Sequence, residues 1–181
     1  MKTHFYTYQI LSIFLFAGFL ACTKEDPVLV EEQELITTVV LTFSREGAPS
    51  ETIRWTSDLD QSPLIGLKSN TQYTVSVSFL DESDPGAVEN ITNEVKKEAD
   101  EHQIFYEFSG VAIEFEQAPS DVLDSYQNPL YVNTLWSTSN SGSGVVRVYL
   151  IHEPIQKTGS ARSDFGGETD IAVDFTLQIE N

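Results

Sequence analysis

Tyr73-Thr74-Val75-Ser76-Val77-Ser78-Phe79 alternates apolar and hydroxyl side chains without a break. Successive side chains of an extended chain point to opposite faces. The pattern therefore describes a strand buried on one side and wet on the other. Outward from it the period stays close to two. Leu35-Ile36-Thr37-Thr38-Val39-Val40-Leu41-Thr42-Phe43 is rich in β-branched residues and ends in the turn-like Glu46-Gly47-Ala48-Pro49, and Thr52-Ile53-Arg54-Trp55 is a short second strand. Further strands are expected over 104–108, 111–115, 132–137, 145–151 and 171–179, the last three separated by Gly/Ser clusters at 139–144 and 158–167. A mainly β fold follows, an antiparallel sandwich of seven to eight strands.

One stretch departs from that period. After the start signal Asp84-Pro85-Gly86, the residues Val88, Ile91, Val95 and Ala99 recur at three- and four-residue steps, with Glu89, Asn93, Lys96, Lys97 and Asp100 opposite. This spacing predicts one inserted amphipathic helix over about 87–101.

The segment Leu67-Lys68-Ser69-Asn70-Thr71-Gln72-Tyr73-Thr74-Val75-Ser76-Val77 resembles the corner-and-strand sequence of fibronectin type III domains. The resemblance implies an immunoglobulin-like sandwich, with Tyr73 as the structural tyrosine whose hydroxyl caps a loop between sheets.

The N-terminus carries an address. Ile10 to Ala21 is an apolar run interrupted only by Ser12 and Gly18, after the positive Lys2. It is too short to span a bilayer as a helix, which takes about 20 residues, but suits the apolar region of a signal peptide. Phe19-Leu20-Ala21-Cys22 resembles a bacterial lipobox, which implies lipidation at Cys22 and a mature chain starting there. Two or more acyl chains, at about 0.8 kcal/mol per buried CH₂, anchor a protein stably. Lys24-Glu25-Asp26 is similar to the export signal that sends Bacteroidota-type lipoproteins to the cell surface. The expected organisation is a signal peptide over 1–21, an acidic tether over 22–34 and one β-sandwich domain over 35–181. The expected location is the outer membrane, lipid-anchored, on the cell surface in preference to the periplasmic face.

Composition narrows the chemistry. The chain has 28 Asp and Glu against 10 Lys and Arg, a formal charge of −18. Removing residues 1–21 takes one lysine and no acid, which makes it −19. Such a surface repels nucleic acid and anionic lipid and favours divalent cations or a basic partner. The single Met and single Cys are Met1 and Cys22. The domain therefore has no disulfide, no thiolate nucleophile and no soft sulfur ligand.

Candidates for chemistry are few. His102 follows the helical stripe, with Glu98 one turn before it, and His152 ends the 145–151 strand. If the fold joins them, His102, His152 and Glu98 could hold a divalent metal, zinc or calcium. A helix-end position accounts for His102 without metal, as a partly cationic imidazole. No cofactor is required by this reading. Asp58-Leu59-Asp60 lacks the glycine and third acid of a calcium loop. No catalytic residue is assigned: Ser141-Gly142-Ser143-Gly144 lies between strands, without the strand-turn-helix context of a nucleophile elbow. Trp55 and Trp136 are strand aromatics, usually core. The irregular stretch 119–129 with Tyr126, together with Tyr131, is the candidate ligand or partner surface.

Glu34-Leu35-Ile36-Thr37-Thr38-Val39, Lys97-Glu98-Ala99-Asp100-Glu101-His102-Gln103 and Gly166-Gly167-Glu168-Thr169-Asp170-Ile171 resemble segments of a group of small Bacteroidota-type outer-membrane lipoproteins. That group is often described as having a type 1 periplasmic-binding fold, which needs two α/β domains; the period-two pattern points to the sandwich instead. The resemblance implies a non-enzymatic binding or accessory lipoprotein, partnered by the membrane, by an outer-membrane importer or by a surface ligand, and not by nucleic acid. The alternatives are a metal-capturing lipoprotein and, third, a hydrolase.

Overall fold

In the computed structural model, residues 34–181 are described, and the period-two pattern becomes nine strands among them. They are β1 (Thr38–Ser44), β2 (Glu51–Thr56), β3 (Leu64–Lys68), β4 (Gln72–Leu80), β5 (His102–Ser109), β6 (Ile113–Gln117), β7 (Asn133–Thr138), β8 (Gly142–His152) and β9 (Glu168–Glu180), with α1 (Thr92–Lys97) and α2 (Arg162–Phe165). The expected signal peptide, Cys22, Lys24-Glu25-Asp26 and the tether before Glu34 lie outside the described residues.

The strands form two sheets. One has the order β2-β1-β4-β7-β6 and is antiparallel throughout; the other has the order β3-β9-β8-β5. In β4 the alternation does what its chemistry requires. Tyr73, Val75, Val77 and Phe79 are buried and Thr74 is exposed. Val39, Leu41 and Phe43 of β1 and Trp136 of β7 join them against Ile104 and Tyr106 of β5, Val148 and Leu150 of β8, and Val173 and Phe175 of β9. Each such side chain contributes about 1.5–3 kcal/mol by leaving water. Trp136 sits at the centre, edge-on to Phe43, Tyr106 and Phe108, so it is core and not a ligand surface.

Three details differ from expectation. A ninth strand, β3, pairs in parallel with β9 from Leu64↔Thr176 to Lys68↔Glu180. It is five residues long with Gly66 at its middle, which weakens any local strand signal; burial of Ile65 and Leu67 and the β9 edge make it a strand. Second, α1 spans only Thr92–Lys97 instead of about 87–101. Asp81 and Glu89 exchange backbone hydrogen bonds at 3.0 and 2.9 Å, which holds the chain before α1 extended and leaves Val88 exposed. Ile91, Val95 and Ala99 are buried as the stripe requires. Third, β8 starts inside the Gly/Ser cluster: at Gly144 an added Cβ would lie 2.2 Å from the Ser109 carbonyl oxygen, a contact only glycine permits.

The β3–β4 connection crosses between the sheets. The Tyr73 hydroxyl accepts the Lys68 backbone N–H at 2.8 Å. Beside it the Thr138 hydroxyl lies 2.6 Å from the Lys68 carbonyl and 3.0 Å from that of Thr71, and accepts the Thr71 N–H at 3.1 Å.

Candidate metal centre

At the opposite end, the β5–β8 register sets His102 directly across from His152. Their rings stack with centroids 5.0 Å apart and planes 10° off parallel. Two histidines fifty residues apart in sequence are thereby neighbours.

The turn that delivers His102 is fixed from several sides. The Thr92 hydroxyl accepts the Phe79 N–H at 2.7 Å and lies 3.2 Å from the Phe79 carbonyl, which docks α1 onto β4. Lys157 Nζ donates to the carbonyls of Ala99 and His102 and lies 3.9 Å from Asp124 Oδ2. Glu153 N–H donates to the Glu101 carbonyl at 2.7 Å. In this setting His102 Nδ1 is 3.2 Å from the Glu98 carbonyl oxygen. That bond needs the proton on Nδ1, which leaves the lone pair on Nε2. A ring N–H donated to a backbone carbonyl is the usual support of a metal-ligating histidine.

What Nε2 meets is Asp170, placed by an irregularity. The β8–β9 register passes from Leu150↔Ile171 to Ile151↔Thr169, which leaves Asp170 as the extra residue of a β-bulge. Bulges re-aim side chains. Arg162 holds the approach to it, donating to the carbonyls of Gly166 (2.7 Å) and Gly167 (3.2 Å) and to the Thr169 hydroxyl (2.9 Å). Gly167, at φ +61°, lets β9 close on β8: a Cβ there would lie 2.3 Å from the His152 carbonyl oxygen.

As a result Asp170 Oδ2 lies 4.0 Å from His102 Nε2, and both side chains are 1% exposed. Among the described residues four buried side-chain polar atoms lack a hydrogen-bond partner; these two are the pair that face each other, Gln103 Oε1 and Trp136 Nε1 being the others. A separation of 4.0 Å is beyond a direct hydrogen bond. An orphaned buried polar atom costs about 1–3 kcal/mol, so two face to face are a feature needing a physical reason.

Two more acids approach His102, in a group that includes neither Asp170 nor His152. One ligand atom each from Glu34, Glu98 and His102 lie within 4.8 Å of one another. Burial, then the charges of Glu94, Asp170 and Glu98, push the Glu34 carboxyl up to about 7, with His152 opposing. Burial likewise raises Asp170, aided by Glu168 and opposed by His152. Burial pushes His102 below its ordinary value despite its bond to Glu98, which works against a cationic imidazole there. A positive ion would favour the ionised carboxylates and bind the neutral form of the imidazole.

No protein-family model matches the chain, and no similar protein is found among curated proteins or solved structures. The centre is therefore interpreted from its own chemistry.

The remaining candidates are elsewhere. Tyr126 is 83% exposed at the tip of the β6–β7 connection. That connection is held firmly, because Asp124 accepts the N–H groups of Tyr126 and Asn128, and Ser125 N–H donates to Asp100. Tyr131 instead packs on Phe115 with ring centroids 4.9 Å apart. The structure thus separates the two tyrosines. Tyr73 lies at the far end, and Asp58 is an exposed acceptor for the Thr56 hydroxyl. Glu34, Asp170 and Lys157 were not apparent as site residues from sequence. For Asp170 the one available signal was the Gly166-Gly167 pair just before its strand.

Proposed function

We propose that this chain is a lipid-anchored binding protein of the outer membrane that captures a divalent transition-metal ion. The observation that carries the proposal is the buried, unpartnered pair His102 Nε2 and Asp170 Oδ2; Glu34 and Glu98 approach His102, and His152 stacks on it. Donors about 2.0–2.1 Å from a tetrahedral ion stand about 3.4 Å apart, so the 4.0 Å gap closes with a shift of about 0.6 Å. Imidazole with carboxylates suits zinc-type ions, whereas calcium takes six to eight oxygens. Absence of sulfur from residues 23–181 removes the soft ligands that favour Cu(I).

Anchoring is supported by Phe19-Leu20-Ala21-Cys22, and cell-surface display by Lys24-Glu25-Asp26. An importer as partner rests on the lipoprotein resemblance alone, with Tyr126 as the exposed residue a partner would meet. Isothermal titration with Zn²⁺, Ca²⁺ and Mg²⁺ tests the ligand. Saturable 1:1 binding of Zn²⁺, at least 100-fold tighter than Ca²⁺ (about 2.7 kcal/mol), is the expected result. Absence of binding by any of the three overturns it. Membrane fractionation of Cys22→Ala, expected in the soluble fraction, tests the anchor separately.

A further inference from the structure

The position of Glu34 in the chain adds a consequence, one that rests on the metal-binding function just proposed. Glu34 lies just before β1. From Ile36 onward the domain holds the chain: Ile36 packs on the core, Thr37 N–H donates to the Leu80 carbonyl at 3.0 Å, and the Thr37 hydroxyl accepts the Glu82 N–H at 2.7 Å. Leu35 is exposed. Glu34 makes no hydrogen bond or ion pair among the described residues, yet its carboxylate reaches the ring and carboxylate of His102 and Glu98. Its neighbours there, Glu94, Glu98 and Asp170, are acids. Like charges this close repel when ionised. A divalent ion among them converts each repulsion into a shared attraction.

We propose that Glu34 is a ligand of the captured ion, so that metal binding ties the residues just before β1 to α1, β5 and the β9 bulge. Glu98 comes from the end of α1, His102 from β5 and Asp170 from β9. Glu34 is the ligand supplied from before β1.

The test is amide hydrogen exchange and calorimetry on the full chain in detergent, with Zn²⁺ alone as the probe, for wild type and Glu34→Gln. The expected result is that Zn²⁺ slows exchange at least tenfold at residues 35–37, 98–103 and 168–171 in wild type. In Glu34→Gln the slowing at 35–37 is lost, that at 98–103 and 168–171 persists, and affinity falls about tenfold. A single cooperative melting transition in each metal-free chain confirms that the variant folds. Slowing at 98–103 and 168–171 with 35–37 unaffected in wild type overturns the clamp and leaves the metal site standing. No change anywhere, with no heat of binding, removes the metal site and the clamp with it.

Discussion

The two ends of the sandwich handle buried polarity in opposite ways. At the Tyr73 end, one hydroxyl and one threonine satisfy the backbone of the β3–β4 crossing. At the His102 end, an imidazole nitrogen and a carboxylate oxygen are buried face to face without partners, with Glu34 and Glu98 close to the imidazole. β9 runs from one end to the other, from Glu168 opposite His152 to Glu180 beside Lys68. The same strand is thus regular where it stabilises and bulged where it places Asp170. Two unpartnered buried polar atoms facing each other mark the His102 end for function.

The comparison can be broken by substitution. The largest effect is expected from Gly167→Ala. Its Cβ would press on the His152 and Glu153 carbonyl oxygens in a backbone conformation that favours glycine. A loss of about 3 kcal/mol in urea unfolding is expected, together with loss of Zn²⁺ binding as the bulge shifts. His102→Ala is expected to lower Zn²⁺ affinity at least 100-fold by titration, about 2.7 kcal/mol. The corresponding change at the other end, Tyr73→Phe, leaves the Lys68 N–H without its acceptor. It costs about 1–3 kcal/mol of stability and leaves Zn²⁺ affinity unchanged; if it weakened binding, the two ends would not be independent.

Asp170→Asn sharpens the contrast in the other direction. It removes a buried carboxyl that burial already pushes toward neutrality, so the metal-free chain should melt higher while Zn²⁺ binding is lost. A gain of about 1 kcal/mol is expected. A loss of stability instead would mean that Asp170 is a structural acid like those of the β6–β7 connection.

The smallest effect is the pH dependence. The Glu34 carboxyl is raised from 4.5 to about 7 in the folded chain. The folded state therefore holds a proton that the unfolded state has released. This contribution to stability is full below 4.5 and is lost as pH rises through about 7. The metal-free wild type should lose more melting temperature between pH 5 and pH 8 than Glu34→Gln does. With Zn²⁺ present the trend reverses, because the ion displaces that proton.

Much of the scaffold was legible in the residues. Strict alternation marks β4, and the apolar stripe Ile91, Val95 and Ala99 marks the buried side of α1 even though the helix is short. β3 was not legible, because Leu64-Ile65-Gly66-Leu67-Lys68 is a strand only against β9. At the site, His102, His152 and Glu98 were identifiable by residue type and position. Glu34 was not, since an acid in an acidic run carries no distinguishing signal. Asp170 was hidden by the rule that found the strands: strict alternation sends it to the face opposite Ile171, and the bulge overrides that.

What the sequence by itself determined is the material: a period of two that can only bury its apolar face by stacking sheets, a strongly acidic chain, and a domain limited to imidazole, carboxylate and aromatic chemistry. Tertiary structure alone decided which of its many acids meet the histidines. Positions 34, 98, 102, 152 and 170 are joined by strand register, by the docking of α1 through Thr92 and by one extra residue in β9. Register and bulges are set by packing across the whole domain, so no local stretch of sequence encodes that meeting.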